Sequence, residues 1–251
     1  MIDVRLESRG AEIAFSGEVA TLPRSVRWHQ SSPHVLVDGS PGWTARARRL
    51  IETGATALCV AGGFAEDISA LEDVSAGIPV LVEHALAPAL VPASFGGDDV
   101  FIDTVAVDPG GDPETLLMRQ ILTLEHLGDP IRRFSFVRRS SASWFAVGQS
   151  THNVTVAAHA LVGSCAESSE RYRLVGRTEE TELVRPLPAL ALPETLRLNS
   201  GRVQVTQTSE WQSRRRRLLM LFAAVVRGDA VAPDHVAALR RGQDLLADHA
   251  G

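Results

Sequence analysis

The sequence contains no lysine, and all 25 of its basic residues are arginines. A side-chain amine therefore cannot serve as a general acid, a general base or a Schiff-base nucleophile in this protein. Any mechanism that requires a lysine at the reacting centre is excluded.

Cysteine, excess charge and long apolar runs are also scarce. Cys59 and Cys165 are too few for a disulfide framework, and neither has metal-ligand spacing around it, so no metal site is expected. The net charge of −5 gives no reason to expect a nucleic-acid partner. The apolar run at 218–226 is too short to cross a bilayer, and the first ten residues lack the pattern of a secretory signal. We expect a cytoplasmic protein with no membrane partner.

The clearest pattern lies between His34 and His84, in a chain of 251 residues with an ordinary apolar content of 45%. This stretch alternates strands and helices, and glycine or proline stands at the junctions. Such alternation predicts a parallel sheet with helices on its faces. The predicted strands are 35–37, 57–60 and 79–82, and the predicted helices are 43–53 and 65–76.

Residues 1–33 give a weaker pattern. Strands are predicted at 2–6 and 11–15, and residues 18–28 could form a short helix or a loop. The G-x-G-x-x-G fingerprint of dinucleotide-binding domains is absent, since Gly10 and Gly17 are isolated. The segment is also short for a β-α-β unit of about 30 residues followed by further elements. The usual dinucleotide cradle is therefore predicted to be absent or much altered.

Proline and glycine concentrate between residues 85 and 111, so we place a domain boundary near Pro88. The predicted domains are a reduced Rossmann-like domain (1–88) and a C-terminal α+β domain (89–251). In the second, the predicted helices are 113–127, 151–162, 218–227 and 234–249, and the predicted strands are 100–107, 131–138, 172–176, 181–184, 195–198 and 203–208. The expected fold class is α/β: a truncated Rossmann-like parallel sheet followed by an α+β domain with an open, mainly antiparallel sheet.

The order of these elements and their local sequence motifs resemble the Gfo/Idh/MocA oxidoreductase family, relatives of glucose–fructose oxidoreductase and inositol dehydrogenase. Ser40-Pro41 resembles the family's Thr-Pro after a strand, and Thr53-Gly54 its Ala-Gly at a helix end. STHNV and ALVG, at 150–154 and 160–163, resemble its histidine-containing helix. LEHLGDPIRRFSFVRR and VVRGDAVAPDHVAALRRGQDLL resemble its entry into the C-terminal domain and its closing helices. The resemblance implies NAD or NADP as the cofactor if the family activity is retained, and an open sheet that mediates oligomerisation.

The residues that should carry the family's chemistry are replaced. The family's Glu-Lys-Pro falls on Val60-Ala61-Gly62, and the acid four positions before its histidine falls on Gly148. Of the usual lysine, aspartate and histidine, His152 alone remains. A histidine can protonate a developing alkoxide, but here we expect no carboxylate to orient it.

We therefore expect a degenerate family member that lacks ordinary NAD(P)-dependent catalysis. It would bind a small molecule or act as a partner subunit, in a homo-oligomer or a hetero-oligomer with an intact paralogue. Two alternatives remain open: an active NAD(P)-dependent oxidoreductase on a sugar, cyclitol or imine with His152 as acid/base, and a non-redox lyase or isomerase using the same cleft. The candidate pocket residues are Asp38, Ser40, Pro41, His84 and Trp144. A purely structural interpretation of the candidate residues is a place in a turn, at a helix cap or in the packed core.

Overall fold

A computed structural model of the chain describes residues 1–22, 24–63, 66–91, 99–163, 169–186 and 192–247. The chain divides into two compact units, Met1–Leu86 with Ser213–Arg240, and Ala87–Gln212 with Arg241–Gly251. The second unit starts beside Pro88, and residues 213–240 are part of the first unit rather than the second. In the described ranges, no helix has both the length and the apolar character needed to cross a membrane.

The helices and strands are numbered in chain order. The strands are β1 (Ile2–Leu6), β2 (Val26–Trp28), β3 (His34–Asp38), β4 (Ala57–Ala61), β5 (Val80–Val82), β6 (Asp99–Val107), β7 (Ile131–Arg139), β8 (Ser143–Ser150), β9 (Thr155–Leu161), β10 (Ser169–Gly176), β11 (Glu179–Pro186), β12 (Thr195–Ser200) and β13 (Val203–Thr208). The helices are α1 (Arg9–Ala20), α2 (Trp43–Glu52), α3 (Ser69–Glu72), α4 (Pro113–His126), α5 (Arg214–Arg227) and α6 (His235–Ala247).

The first unit is built on a parallel sheet of five strands in the order β2-β1-β3-β4-β5. All five residues of β4 are buried, as expected for a parallel strand covered on both faces. Helices α1 and α5 pack into one core with strands β1, β3, β4 and β5, and α2 contacts β3 and α3. Phe15 of α1 and Leu218, Leu219 and Phe222 of α5 are fully buried in that core.

The second unit contains a mixed sheet of eight strands in the order β13-β12-β11-β10-β6-β9-β8-β7. β6 and β9 are parallel, and the other neighbouring pairs are antiparallel. Helix α4 contacts four neighbouring strands of this sheet, β6, β9, β8 and β7. Asp112 caps it by accepting hydrogen bonds from the backbone of Glu114 and Thr115, and Pro113 is its first residue. The predicted fold class is confirmed.

Three predicted elements are wrong in type or extent. Residues 11–15, predicted as a strand, lie in α1, where Ala11, Phe15 and Val19 are buried at helical spacing. Residues 151–162, predicted as a helix, contain a turn and β9, along which every second residue is buried. The predicted helix at 65–76 is reduced to the four residues of α3, and its first residue lies outside the described residues.

Candidate functional site

The strand order of the parallel sheet identifies one position where a ligand would be expected. From β1 the chain passes to β2 on one side and then returns to β3 on the other side of β1. In open α/β sheets, ligands bind outside the carboxyl ends of the strands at such a reversal. Residues 7–10, after β1, and residues 38–41, at the end of β3, form this region, which we call the switch-point site. Three predicted pocket residues, Asp38, Ser40 and Pro41, lie here.

Asp38 is at the centre of the switch-point site. The Ser8 hydroxyl donates a hydrogen bond to Asp38 Oδ2 at 2.7 Å and accepts one from the Ala11 amide at 3.1 Å, which caps α1. Gly10 lies against the same carboxylate, because a Cβ atom placed on it would be 2.5 Å from Asp38 Oδ2. The glycine of the first turn therefore makes room for a carboxylate of the protein itself.

Arg46 offsets part of the negative charge of this site. Its Nη2 lies 3.1 Å from Asp38 Oδ1, and its Nε lies 3.0 Å from Glu7 Oε1. Burial alone would raise the pKa of Asp38, but hydrogen bonds from Ser40 and Ser8 and the charge of Arg46 outweigh this effect. The pKa of Asp38 consequently lies below its ordinary value, so the side chain is a carboxylate at neutral pH.

A further carboxylate occupies the amino terminus of α2. Glu66 accepts hydrogen bonds from the Gly42 amide at 2.6 Å, the Thr44 amide at 3.2 Å and the Thr44 hydroxyl at 2.8 Å. Free amides at the start of a helix are the groups with which proteins commonly bind phosphate. Here a protein side chain already accepts hydrogen bonds from two of them.

The turns after β3 and β4 pack backbone against backbone. The carbonyl of Ala61, the residue on which the family's lysine falls, accepts a hydrogen bond from the Gly39 amide at 2.7 Å. A Cβ atom on Gly39 would lie 2.1 Å from the Gly63 nitrogen, and one on Gly63 would lie 2.6 Å from a Val82 methyl group. Glycine is therefore required at both positions.

Glu83 and His84 follow β5 at the same edge of the sheet. Glu83 is fully buried, accepts a hydrogen bond from the Gly62 amide at 2.5 Å and pairs with Arg215 at 3.3 Å. The His84 amide donates to the Gly62 carbonyl at 3.2 Å, and the half-buried imidazole lies beside the Gly62–Gly63 turn. His84 thus shares this sheet edge with Asp38.

The other predicted site residues lie in the second unit. His152 lies in the turn between β8 and β9, and its Nδ1 is 2.9 Å from Oδ1 of the buried Asp129. An ionised carboxylate can only accept, so Nδ1 is the donor when this contact is a hydrogen bond to the carboxylate. The expectation that His152 has no orienting carboxylate is wrong. The aligned position could not supply one, because a Cβ atom on Gly148 would lie 2.3 Å from the Arg133 carbonyl.

Trp144 is buried in β8. Its ring packs edge-on against Phe136, with ring centroids 5.3 Å apart, and the Arg139 guanidinium lies 4.1 Å from the ring centroid. The structure therefore places Trp144 between an aromatic neighbour, Phe136, and a cation–π partner, Arg139.

The residues of the switch-point site do not fit NAD or NADP, the cofactors implied by the resemblance. A pyrophosphate outside the first turn would approach the carboxylates of Glu7 and Asp38, and the neighbouring Arg46 is already paired with both. The Ala11 amide, which could donate to a phosphate, is bonded to Ser8. The space created by Gly10 is taken by Asp38.

Several residues of these networks were not identified from the sequence: Glu7, Arg46, Glu66, Glu83 and Asp129. Arg46 could not be identified because its position in a helix gives no indication of partners before and after it in the chain. Asp129 lies 23 residues from His152, so no local spacing connects the two. Ser8 was the one available signal, since a serine before a helix is a common cap.

Comparison with known proteins supplies a likeness in structure alone. No protein-family model matches the sequence, and no curated protein matches it. Among solved structures, UDP-N-acetylglucosamine 3-dehydrogenase GnnA from Acidithiobacillus ferrooxidans superposes with a TM-score of 0.70 at 15% identity, covering 98% of this chain and 97% of that chain.

Two further structures cover both chains almost completely. KijD10, a 3-ketoreductase from Actinomadura kijaniata in complex with NADP and TDP-benzene, has a TM-score of 0.66 at 12% identity, with 98% and 96% coverage. A super-repressor mutant of Gal80p from Saccharomyces cerevisiae has a TM-score of 0.69 at 10% identity, with 98% and 95% coverage. The resemblance predicted from the sequence is thus confirmed at the level of the fold, which is that of Gfo/Idh/MocA-type oxidoreductases.

Proposed function

We propose that this protein does not carry out ordinary NAD(P)-dependent oxidoreduction and acts instead as a partner or small-molecule-binding subunit with an oxidoreductase-type fold. The observation that carries the proposal is the pair formed by Gly10 and Asp38. In a dinucleotide-binding turn, glycine lets the backbone approach the pyrophosphate. In this chain, glycine lets the backbone approach an internal carboxylate, 2.5 Å from its Cβ position.

The charges around that pair support the same proposal. Glu7 and Asp38 would repel a pyrophosphate, and Arg46, which could attract one, would have to leave both of them. At the next helix, Glu66 accepts hydrogen bonds from the Gly42 and Thr44 amides, which could otherwise donate to a phosphate. In each of these contacts, a side chain of the protein takes a position or a hydrogen bond that a nucleotide phosphate would otherwise take.

The open face of the eight-stranded sheet supports a partner role. Phe145 and His159 pack against each other on this face with ring centroids 4.2 Å apart, and Leu161 and Phe101 remain 37% and 36% exposed. Apolar side chains exposed on one continuous sheet face are typical of protein interfaces. A paralogue with an intact dinucleotide site, or a second copy, would cover this face.

The similar structures are compatible with either role for the fold. GnnA and KijD10 are described as a dehydrogenase and a ketoreductase, the latter in complex with NADP. The Gal80p structure is described as a super-repressor mutant, a regulatory property rather than a reaction. A non-catalytic role therefore has a precedent among proteins of similar structure.

The first test is a calorimetric titration of the purified protein with NADH and NADPH, with KijD10 as the positive control. We expect a dissociation constant above about 1 mM for both nucleotides, because the switch-point site is filled by protein groups and carries a net negative charge. Micromolar binding of either nucleotide to this chain would contradict the proposal.

The second test addresses the partner role directly. The protein is co-expressed with a paralogue from the same genome that contains both G-x-G-x-x-G and Glu-Lys-Pro, and complex formation is measured by light scattering on a sizing column. We expect a complex that Leu161→Arg abolishes, because a charge then enters the open face. Ser16→Arg, on the exposed side of α1, is the matched control and should leave the complex intact.

One observation favours a second candidate, an active oxidoreductase in which His152 is the acid/base. The buried carboxylate of Asp129 lies 2.9 Å from His152 Nδ1 and is placed to orient the ring, as a third group orients the base in catalytic sites. This candidate requires NADH- or NADPH-dependent turnover that is lost in His152→Ala. If the nucleotide titration shows no binding, the pair is a structural feature of the β8–β9 turn.

A further inference from the structure

The two edges of the eight-stranded sheet differ in how they are protected. The β7 edge carries Arg132, Arg133, Arg138 and Arg139, and its register with β8 shifts at two places. Charged side chains and bulges are the common means by which proteins prevent edge strands from pairing with other chains. The β7 edge is therefore guarded.

The β13 edge has none of these protections. Its sequence, VQVTQT, contains no charged residue and no proline, and its register with β12 is unbroken over six residue pairs. In the described part of the chain, β13 is hydrogen-bonded to β12 alone, so its outer backbone groups lack a strand partner. Unpaired amides and carbonyls on a regular edge are a template for one more strand.

Both faces of β13 are open as well. All six residues are exposed, including Val203 at 62% and Val205 at 43%. Helix α4 contacts β6, β7, β8 and β9 but makes no substantial contact with β13. Two adjacent β-branched side chains beside a free edge would gain burial from an added strand.

We propose that β13 pairs antiparallel with β13 of a second copy of this chain and joins the two eight-stranded sheets into one. A second copy is the occupant that fits best for two reasons. The strand carries no charge, so self-pairing brings no like charges together, and a two-fold axis at the edge uses both free edges and closes the assembly.

The two-fold axis also determines which residues meet. An axis perpendicular to the sheet keeps each side chain on its own face, so a residue near the centre of the strand must lie opposite itself. The centre is Val205 or Thr206, and in either register Val205 lies opposite or diagonal to its own copy. A single strand pair makes a small interface, so we expect a dissociation constant on the order of 1–100 μM.

The test uses charge exchange at Val205 and sedimentation equilibrium of the full chain between about 1 μM and 1 mM. We expect the wild type to dimerise, and Val205→Glu and Val205→Arg each to weaken the dimer about tenfold or more, because like charges meet across the edge. An equimolar mixture of the two variants should regain the dimer. Ser135→Glu, the matched change on the guarded β7 edge, should behave like the wild type.

Hydrogen exchange provides an independent readout that does not depend on a variant. In the wild type, protection of the amides of residues 203–208 should increase with protein concentration, and protection in β7 should not. A wild type that is monomeric at 1 mM would overturn the inference, as would variants that fail to associate when mixed. Dimerisation that survives Val205→Glu but is lost in Leu161→Arg would also overturn it, while supporting the open face as the proposed partner surface.

Discussion

At the scale of single residues, a substitution at Gly10 tests whether the Asp38 carboxylate packs against this glycine in the folded protein. Replacing Gly10 with alanine puts a methyl group against the Asp38 carboxylate, which Ser8 and Arg46 hold in place. We expect Gly10→Ala to lower the free energy of unfolding by about 1–2 kcal/mol, since broken hydrogen bonds outweigh the gain in helix propensity.

Gly17 is the matched control, because it lies in the same helix with no atom within 4 Å of its Cβ position. Gly17→Ala should raise the stability by about 0.5–1 kcal/mol. Urea unfolding of both variants measures the difference. Equal effects at the two positions would mean that Gly10 is not in contact with Asp38.

Asp38 should also make stability depend on pH. Its pKa is lower in the folded protein than in the unfolded chain, so ionised Asp38 favours the folded state above the unfolded pKa of about 3.9. That contribution is lost as the pH falls through the folded pKa. The difference in unfolding free energy between wild type and Asp38→Asn should be constant from about pH 7 to 5 and shrink below about pH 4. Asp3 and Asp67, whose pKa values are also lowered, are present in both proteins, so their contributions to the pH dependence cancel in this difference.

At the scale of elements, regular apolar periodicity predicted the elements well, and alanine-rich or glycine-rich segments misled. Helix α4 was located almost to the residue because its leucines follow helical spacing and Gly128 follows its end. In β9, alanines occupy both faces, so the period of two was hidden and the helix propensity of alanine decided the prediction. Strand β8 was missed because several of its inward positions are Ala146, Gly148 and Ser150 rather than large apolar residues.

The β7–β8 pair contains the residue that best tests this part of the fold. Gly148 packs so closely on β7 that a Cβ atom would lie 2.3 Å from a backbone oxygen. We expect Gly148→Ala to lower the free energy of unfolding by about 2–3 kcal/mol, because backbone atoms cannot move aside cheaply. Gly163→Ala, with no atom within 4 Å of its Cβ position, should change it by less than about 0.5 kcal/mol.

The same residue bears on function as well as on packing. If Gly148→Ala is as stable as the wild type in urea unfolding, β7 and β8 are not paired as described. The position would then be free to hold the acid that the resemblance expects. With the pairing as described, the orienting carboxylate of His152 comes from Asp129.

At the scale of the whole molecule, the return of the chain to the first unit could not be read from the sequence. The predicted boundary near Pro88 rests on a local change in composition, whereas α5 joins the first core from more than a hundred residues away. Its leucines have the same helical spacing whichever unit they pack against. Local patterns thus predict that α5 exists and cannot predict where it packs.

This return makes a direct prediction about the predicted first domain. Residues 1–88 alone lack Leu218, Leu219 and Phe222, which are fully buried against that domain's sheet. Losing their burial removes about 1.5–3 kcal/mol each, roughly 5–9 kcal/mol together, out of a typical net stability of about 5–15 kcal/mol. We therefore expect the fragment 1–88 to show no cooperative unfolding transition by circular dichroism. The same fragment joined to residues 213–240 by a flexible Gly/Ser linker of about 20 residues should fold, and cooperative unfolding of 1–88 by itself would show that α5 is dispensable to this core.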